Sequence, residues 1–428
     1  MLHSGPVSAQ DVTPQAPDTE EVVQPTPEKG VAIPTTQHAQ TANREIREPE
    51  TNVIPSIRLS ERYDSNVYFV PGTNLEDYVT TVSPQVRVVH KRQLVEATVG
   101  GGVTAEAYVK NPGLNYVAAN GLVDLNLDGA MNELVRGLGL RISDTLYYTP
   151  QAPSFVAPTG GSEVPDSFVR GIQAQRANSR SNSGRVEVSY SISPVLDLIS
   201  IYKDQRIQFG NAIYAPTAVV QGSFIDTTFQ TVTSGPVLKV SPLDTVRLTH
   251  LYQKGTFSIG GSTSSVATQG AMAGWTRSLT PTLTASVEGG VAVLSTSSDL
   301  QPLAVASLEW KQRETEATLS YSRVIVPSFY FLNTPLLSQV ASGTVTHHLS
   351  ESLSVLLNGN YAINQSVPDG SLLKFESYSV TPSVSYKVNR IMTATVSYTR
   401  SHFLQAFSSQ EFRFDRNMVL LSLFAEWK

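Results

Sequence analysis

Seven histidines, 36 carboxylates and no cysteine are the groups with which this chain could do chemistry. Without cysteine there is no disulfide, no thiolate metal ligand and no thiol nucleophile. His3 and His38 fall in a tail rich in Pro, Gln and Thr, and His90, His347 and His348 fall at the ends of alternating segments. His250 and His402 are the two placed where a Ser–His–carboxylate hydrolytic site could be built, yet neither comes with a nucleophile at a telling spacing. A lone histidine of that kind reads as an ordinary polar residue. Neighbours in an extended strand point to opposite faces, so His347 and His348 do not make a metal pair. Asp77, Glu163 and Asp166 lack the spacing of a calcium loop. Gly100-Gly101-Gly102 and Gly137-x-Gly139 resemble phosphate-loop glycines but lead into no helix. Within strands they relieve crowding or permit a bend. No catalytic, metal or cofactor site is expected.

The remaining charges fall into a pattern. From about residue 53 to the end, segments of roughly ten residues alternate apolar and polar. In 352–364, Leu353, Val355, Leu357, Gly359, Tyr361 and Ile363 share one face, while Ser354, Leu356, Asn358, Asn360, Ala362 and Asn364 share the other. On this register Arg58, Arg62, Arg87, Arg141, Arg185, Arg247 and Lys387 lie on the wet face. So do Glu96, Glu106, Asp124, Glu187, Glu288 and Glu309. A long segment, Tyr148–Arg180, interrupts the pattern, and its Arg170, Arg176 and Arg180 are candidates for a basic constriction loop.

The elements that would hold these residues are strands. About eighteen are expected, within sixteen to twenty, as an all-β, up-and-down antiparallel transmembrane barrel over residues 51–428. Tight connections recur at His90-Lys91-Arg92, Asp128-Gly129-Ala130, Ser193-Pro194, Ser241-Pro242, Thr280-Pro281, Lys311-Gln312-Arg313, Leu349-Ser350-Glu351 and Val388-Asn389-Arg390. Proline presets a turn and cannot donate to a ladder, which suits these positions. Connections within pairs read as longer and rich in Gly, Ser, Asn and Pro. Short turns on one side and long loops on the other are the habit of outer-membrane barrels, with the short side periplasmic. An even strand count then places both termini in the periplasm. The chain ends Val419, Leu421, Leu423, Ala425, Trp427, an alternating run closing on an aromatic, with Lys428 after it.

Mean hydropathy is −0.09 and no run of 18 apolar residues exists, which excludes a helical membrane span but not a barrel with a wet interior. The formal charge of −5 gives no reason to expect nucleic acid. Residues 1–50 read as the remnant of a secretory signal, ending near Ala9–Gln10, followed by a disordered periplasmic tail.

Ser60-Glu61-Arg62-Tyr63-Asp64-Ser65-Asn66-Val67-Tyr68, then Asp77-Tyr78 and Val82-Ser83-Pro84, resemble the opening of a family of outer-membrane β-barrel porins encoded with exopolysaccharide and PEP-CTERM gene clusters. The resemblance implies partnership with outer-membrane lipid, a surface polysaccharide and periplasmic export proteins, and carries over no catalytic residue. The expected role is a conduit or accessory for polysaccharide export. A sugar or nutrient uptake porin and a non-conducting scaffold or adhesin are the alternatives.

Overall fold

The computed structural model describes residues 50–69, 75–149, 176–213, 224–259, 261–326, 328, 334–367, 370, 372–407 and 410–427. Eighteen strands follow one another: β1 (Glu50–Asp64), β2 (Asp77–Lys91), β3 (Glu96–Tyr108), β4 (Tyr116–Asn126), β5 (Leu138–Thr149) and β6 (Arg176–Ser193). They continue as β7 (Leu196–Ile213), β8 (Asp226–Lys239), β9 (Asp244–Ile259), β10 (Ser262–Thr280), β11 (Leu283–Leu294) and β12 (Ser297–Gln312). The last six are β13 (Thr315–Val326), β14 (Leu336–His348), β15 (Leu353–Ser366), β16 (Leu373–Lys387), β17 (Met392–Phe407) and β18 (Gln410–Glu426). Each pairs antiparallel with its chain neighbours, and β18 closes on β1 from Ser56 opposite Glu426 to Asp64 opposite Met418. The chain is therefore a closed, 18-stranded, all-β barrel with no free edge.

Closure explains why an alternating sequence suffices. Every backbone polar group of a strand is satisfied by its two neighbours, so side chains need only sort between the convex and concave faces. Val99, Val188, Leu357, Val380, Val396 and Leu421 stand exposed on the convex face. Side chains that bridge strands which are not neighbours must be concave, as Arg62 on β1 and Glu106 on β3 are. The convex belt is edged by aromatics: Tyr78, Tyr148, Tyr202, Tyr321, Tyr361, Tyr378 and Tyr398 toward one rim, and Tyr190, Trp275, Trp310, Tyr386 and Trp427 toward the other. Both barrel termini lie at the second rim, where Glu50 is opposite Lys91 and Glu426 is opposite Ser56.

The turn rim departs from expectation at one place. Asp128-Gly129-Ala130 is not a tight turn but the start of a short helix, α1 (Asp128–Leu134). The chain re-enters the barrel through Gly137 at φ +86, where a Cβ would meet the Ser191 carbonyl at 2.7 Å. At the other rim, three connections are not long: β9–β10, β11–β12 and β17–β18 are each joined by two residues. The strands run past the aromatic edge, where the sorting into an apolar convex face and a polar concave face no longer holds: Phe257, Leu294 and Phe403 are buried inward there. The pattern breaks down although the ladder continues, so strand reads as loop. The same effect moves β6 forward: Arg176 and Arg180 belong to this strand and not to a loop, because polar Ser179, Ser181 and Ser183 pair across to β5. Arg170 lies outside the described residues, as do residues 1–49.

Candidate functional site: a charged clamp across the lumen

The residues gathered most tightly lie inside the barrel near the first loop. Asp64, the last residue of β1, accepts from Arg416 of β18 at 2.9 Å (Nε) and 2.5 Å (Nη2). Its carboxylate is also 3.9 Å from Arg62. Arg62 donates to Glu106 of β3 at 3.1 Å, and the Tyr108 hydroxyl donates to the same carboxylate at 2.8 Å. Arg176 of β6 donates to the Tyr108 oxygen at 2.6 Å and to the Val67 carbonyl at 3.3 Å. The chain Arg416–Asp64–Arg62–Glu106–Tyr108–Arg176 thus returns to the first loop. Its five charged groups are all buried. Such charges are tolerated when paired or hydrogen-bonded: four of these groups pair with each other, and Arg176 is held by the Tyr108 hydroxyl and the Val67 carbonyl.

The loop is held from a second side. Phe69 sits 4.3 Å from the Arg416 guanidinium and packs with Phe403, Phe414 and Ala362 of β17, β18 and β15. Its φ is +57, a conformation unusual for a bulky residue that the surrounding packing must hold. Val67 and Tyr68 pack on Val79, Tyr108 and Leu114. The first loop therefore folds inward from β1 toward β15 and narrows the lumen; residues 150–175 of the expected constriction loop lie outside the described residues. Asp77 ties the second loop to the first, accepting from the backbone of Tyr78, Lys110 and Asn111 at 2.7, 2.8 and 2.8 Å. Just outside, Glu76 takes hydrogen bonds from Lys110 and Tyr63, which hold its carboxyl below the usual carboxylate range. The same bond raises the Lys110 ammonium.

Other expected inward charges occur in pairs. Arg185 meets Glu187 at 2.5 Å, Arg247 meets Glu288 at 3.0 Å and Arg141 meets Asp128 at 2.9 Å. Arg87 lies 3.5 Å from Glu426. Asp124 lies within electrostatic reach of Arg141 and Arg185. Glu309 is on the inward set of β12, and Glu96 and Lys387 stand at the turn ends of β3 and β16. Arg180 does not belong with them: Ser179, Ser181 and Glu187 are buried on the inward set of β6, while Arg180 alternates with them and is exposed. Arg58 has no acidic partner among the described residues and stacks on Phe424 at 5.1 Å.

Sequence reasoning missed Asp64, Arg416 and Tyr108. Asp64 read as a turn former, and its partner is 352 residues away, so no local spacing could announce the pair. The wall formed by β13–β17 is different in kind. Its inward positions carry Ser320, Ser342, Asn358, Asn360, Thr381, Ser383, Thr395, Ser397 and Thr399, with no charge between the rims. Hydroxyls pair across strands, as in Ser320–Ser342 at 2.5 Å and Thr381–Thr399 at 2.9 Å. A separate apolar cluster, including Ile225, Leu251, Phe257, Leu294, Ile325 and Val367, fills part of the interior toward the loop rim. The Ser328 carbonyl reaches across to accept from Thr227 at 3.0 Å.

The histidines do not assemble a catalytic set among the described residues. His402 contacts Asp415 at 2.8 Å on the convex side, but the flanking Ser401 and Ser379 are buried inward. His347 is bonded to Thr315 and His90 to Thr51. No group of three His, Asp or Glu suited to a metal occurs among the described residues.

Neither a protein-family model nor the sequence of a curated protein matches the chain. Among solved structures it is similar to the siderophore receptor PirA of Acinetobacter baumannii, at 7% identity and a TM-score of 0.46, over 90% of this chain and 81% of that one. It is also similar to OccK1 (OpdK) of Pseudomonas aeruginosa, at 9% identity and a TM-score of 0.45, over 88% of this chain and 99% of that one. OccAB3 of Acinetobacter baumannii is similar at 12% identity and a TM-score of 0.43, over 88% and 99% of the two chains.

Proposed function

We propose that this chain is an outer-membrane channel of the porin kind, passing small polar solutes through a lumen narrowed by its own first loop. The observation that carries this is the sorting of the barrel's two faces. A convex apolar belt edged by Tyr and Trp suits lipid, and a concave face of ion pairs and hydroxyls suits water. Eighteen strands enclose more space than their side chains fill, and the inward first loop reduces it to a waist. A waist of this kind favours uptake of small solutes over passage of a polysaccharide strand, so the uptake reading is preferred to export. The turn rim, with both barrel ends, faces the periplasm in this reading.

Purified protein in planar bilayers is expected to show small, discrete conductance. Phe69→Ala, which removes the wedge against Phe403 and Phe414, should enlarge it. Silence from both proteins, with the barrel shown folded by circular dichroism, would favour a scaffold instead. Orientation is read separately. Because the chain has no cysteine, a single cysteine at Gly261 should label on intact cells and one at Pro194 should not.

A further inference from the structure

Toward the loop rim, the convex face turns from apolar to polar along a line drawn by tyrosines. Tyr63, Tyr321, Tyr361 and Tyr398 donate their hydroxyls to Glu76, Gln339, Glu376 and Asn417, and Tyr202 accepts from Gln230. Each partner comes two residues nearer the loop rim than the residue opposite the tyrosine. A phenol with its ring in lipid and its oxygen among headgroups takes this posture.

Cations on the polar side of this line are of two kinds. Arg206, Lys374 and Arg413 each have a carboxylate two residues away on their own strand: Asp204 at 2.8 Å, Glu376 at 2.8 Å and Glu411 at 2.5 Å. Lys254, Arg323 and Arg400 have a tyrosine in that place, Tyr252, Tyr321 and Tyr398, on β9, β13 and β17. Their neighbours across the ladder are all uncharged: Gln230 and Ala267, Ala304 and Gln339, Val380 and Asn417. Arg323 rests its Nε on the Pro302 carbonyl at 2.9 Å. Arg180 of β6 is alike, exposed between Tyr148 and Gln208. Two convex acids without a cation, Glu61 and Asp144, accept from Thr80 at 2.8 Å and Asn182 at 2.9 Å instead.

Below these tyrosines the convex face is apolar, with Leu319 two residues before Tyr321 and Val396 two before Tyr398. Read upward, β13 and β17 present an aliphatic side chain, a phenol and a guanidinium in turn. That order mirrors a lipid with acyl chains, an ester level and an anionic headgroup. A guanidinium matches phosphate oxygens bidentately, and an ammonium takes them as a point charge.

We propose that Lys254, Arg323, Arg400 and Arg180 are contacts for lipid headgroups carrying an uncompensated phosphate, in the leaflet at the loop rim. This deepens the membrane side of the channel reading and rests on it, but it does not depend on conduction. The tyrosines set the depth of the lipid, and the cations select its headgroup.

The test is native mass spectrometry of the purified full chain with phosphatidic acid, phosphatidylcholine or diacylglycerol of the same acyl chains. Phosphatidic acid is expected to bind about fivefold or more tighter than phosphatidylcholine, the scale of one cation at an anionic lipid surface. Diacylglycerol should bind no better than phosphatidylcholine. Combining Lys254→Gln, Arg323→Gln and Arg400→Gln should remove the preference, and Arg400→Gln alone should remove part of it. Arg313→Gln, in a turn at the other rim, should leave it unchanged, and excess inorganic phosphate should not displace the lipid. Each variant is first shown to be folded by its heat-dependent gel shift. Flotation of the wild-type barrel with phosphatidylcholine vesicles reads the membrane assignment separately. A barrel that floats but shows no preference for phosphatidic acid overturns the headgroup contacts alone. So does a preference that survives the combined variant, falls equally with Arg313→Gln or yields to inorganic phosphate. A folded barrel that does not float overturns the membrane reading and the contacts with it.

Discussion

Two walls of one barrel solve the same problem in opposite ways. The wall from β18 through β1 to β6 buries charged groups and satisfies them with each other, in a chain from Arg416 to Arg176. The wall from β13 to β17 carries no inward charge between its rims and satisfies its polar groups by hydroxyl and amide pairs between adjacent strands. Ladder and closure are the same in both. The difference lies in reach: hydroxyl pairs link neighbouring strands only, whereas Arg62 spans from β1 to β3 and Arg176 reaches from β6 to the first loop. A charged wall can therefore pin a loop inside the lumen, and a hydroxyl wall leaves its surface to solvent and solute.

The largest effect expected from this contrast comes from removing one buried charge. Glu106→Ala leaves Arg62 only its 3.9 Å contact with Asp64 and takes a partner from Tyr108, which should destabilise the barrel by about 3 kcal/mol. Thr399→Val, on the hydroxyl wall, should cost only about 1 kcal/mol. Urea unfolding followed by tryptophan fluorescence compares the two, and equal midpoints would mean that the walls do not differ energetically.

Next in size is a test of which face each side chain takes. Val396→Arg puts a cation on the convex belt and should cost about 2–4 kcal/mol in a bilayer. Thr395→Arg, one residue earlier on the concave face, should assemble normally. A heat-modifiability gel reads both, and identical behaviour would show the β17 register to be wrong.

The smallest effect is outside the belt, at the exposed Glu76–Lys110 contact. Glu76 has a lowered pKa in the folded state, so its contribution is fully present above the ordinary carboxylate value, about 4.3. That contribution is lost as pH falls through the lower folded value. The raised Lys110 pKa has the mirror sense: the bond persists up to high pH and is lost only above the folded value. Across neutral pH the contact should not change, and salt should weaken it. Glu76→Gln should leave unfolding at pH 7 nearly untouched while shifting the Lys110 Nζ resonance. A large loss of stability would mean that the contact anchors the first loop after all.

Much of this was legible in order of residues alone. Alternation along β15, β16 and β17 assigned both faces correctly, because lipid-type and water-type surfaces repeat with the pleat. Arg62, Glu106, Arg185, Glu187, Arg247 and Glu288 were recognisable as inward by the same rule. Near the loop rim the rule lost its grip, since Arg176 and Arg180 lie on a strand whose two faces are both polar. Arg180 stands outward there, and only the pairing of Ser179 with Thr149 reveals it. The helix at Asp128 was hidden in a stretch short enough to pass for a turn.

The sequence by itself determined the barrel, its approximate strand count and which side chains face which way, since period-2 sorting is local and needs no partner to be named. Tertiary structure alone decided what the inward charges do. Asp64 and Arg416 are 352 residues apart and meet only because β18 closes on β1. Arg176 finds Tyr108 and the first loop across the lumen. Arg58 is left unpaired because its strand neighbours in space supply a ring and hydroxyls. Pairing across a closed barrel depends on register and curvature, and neither is written in any short stretch of chain.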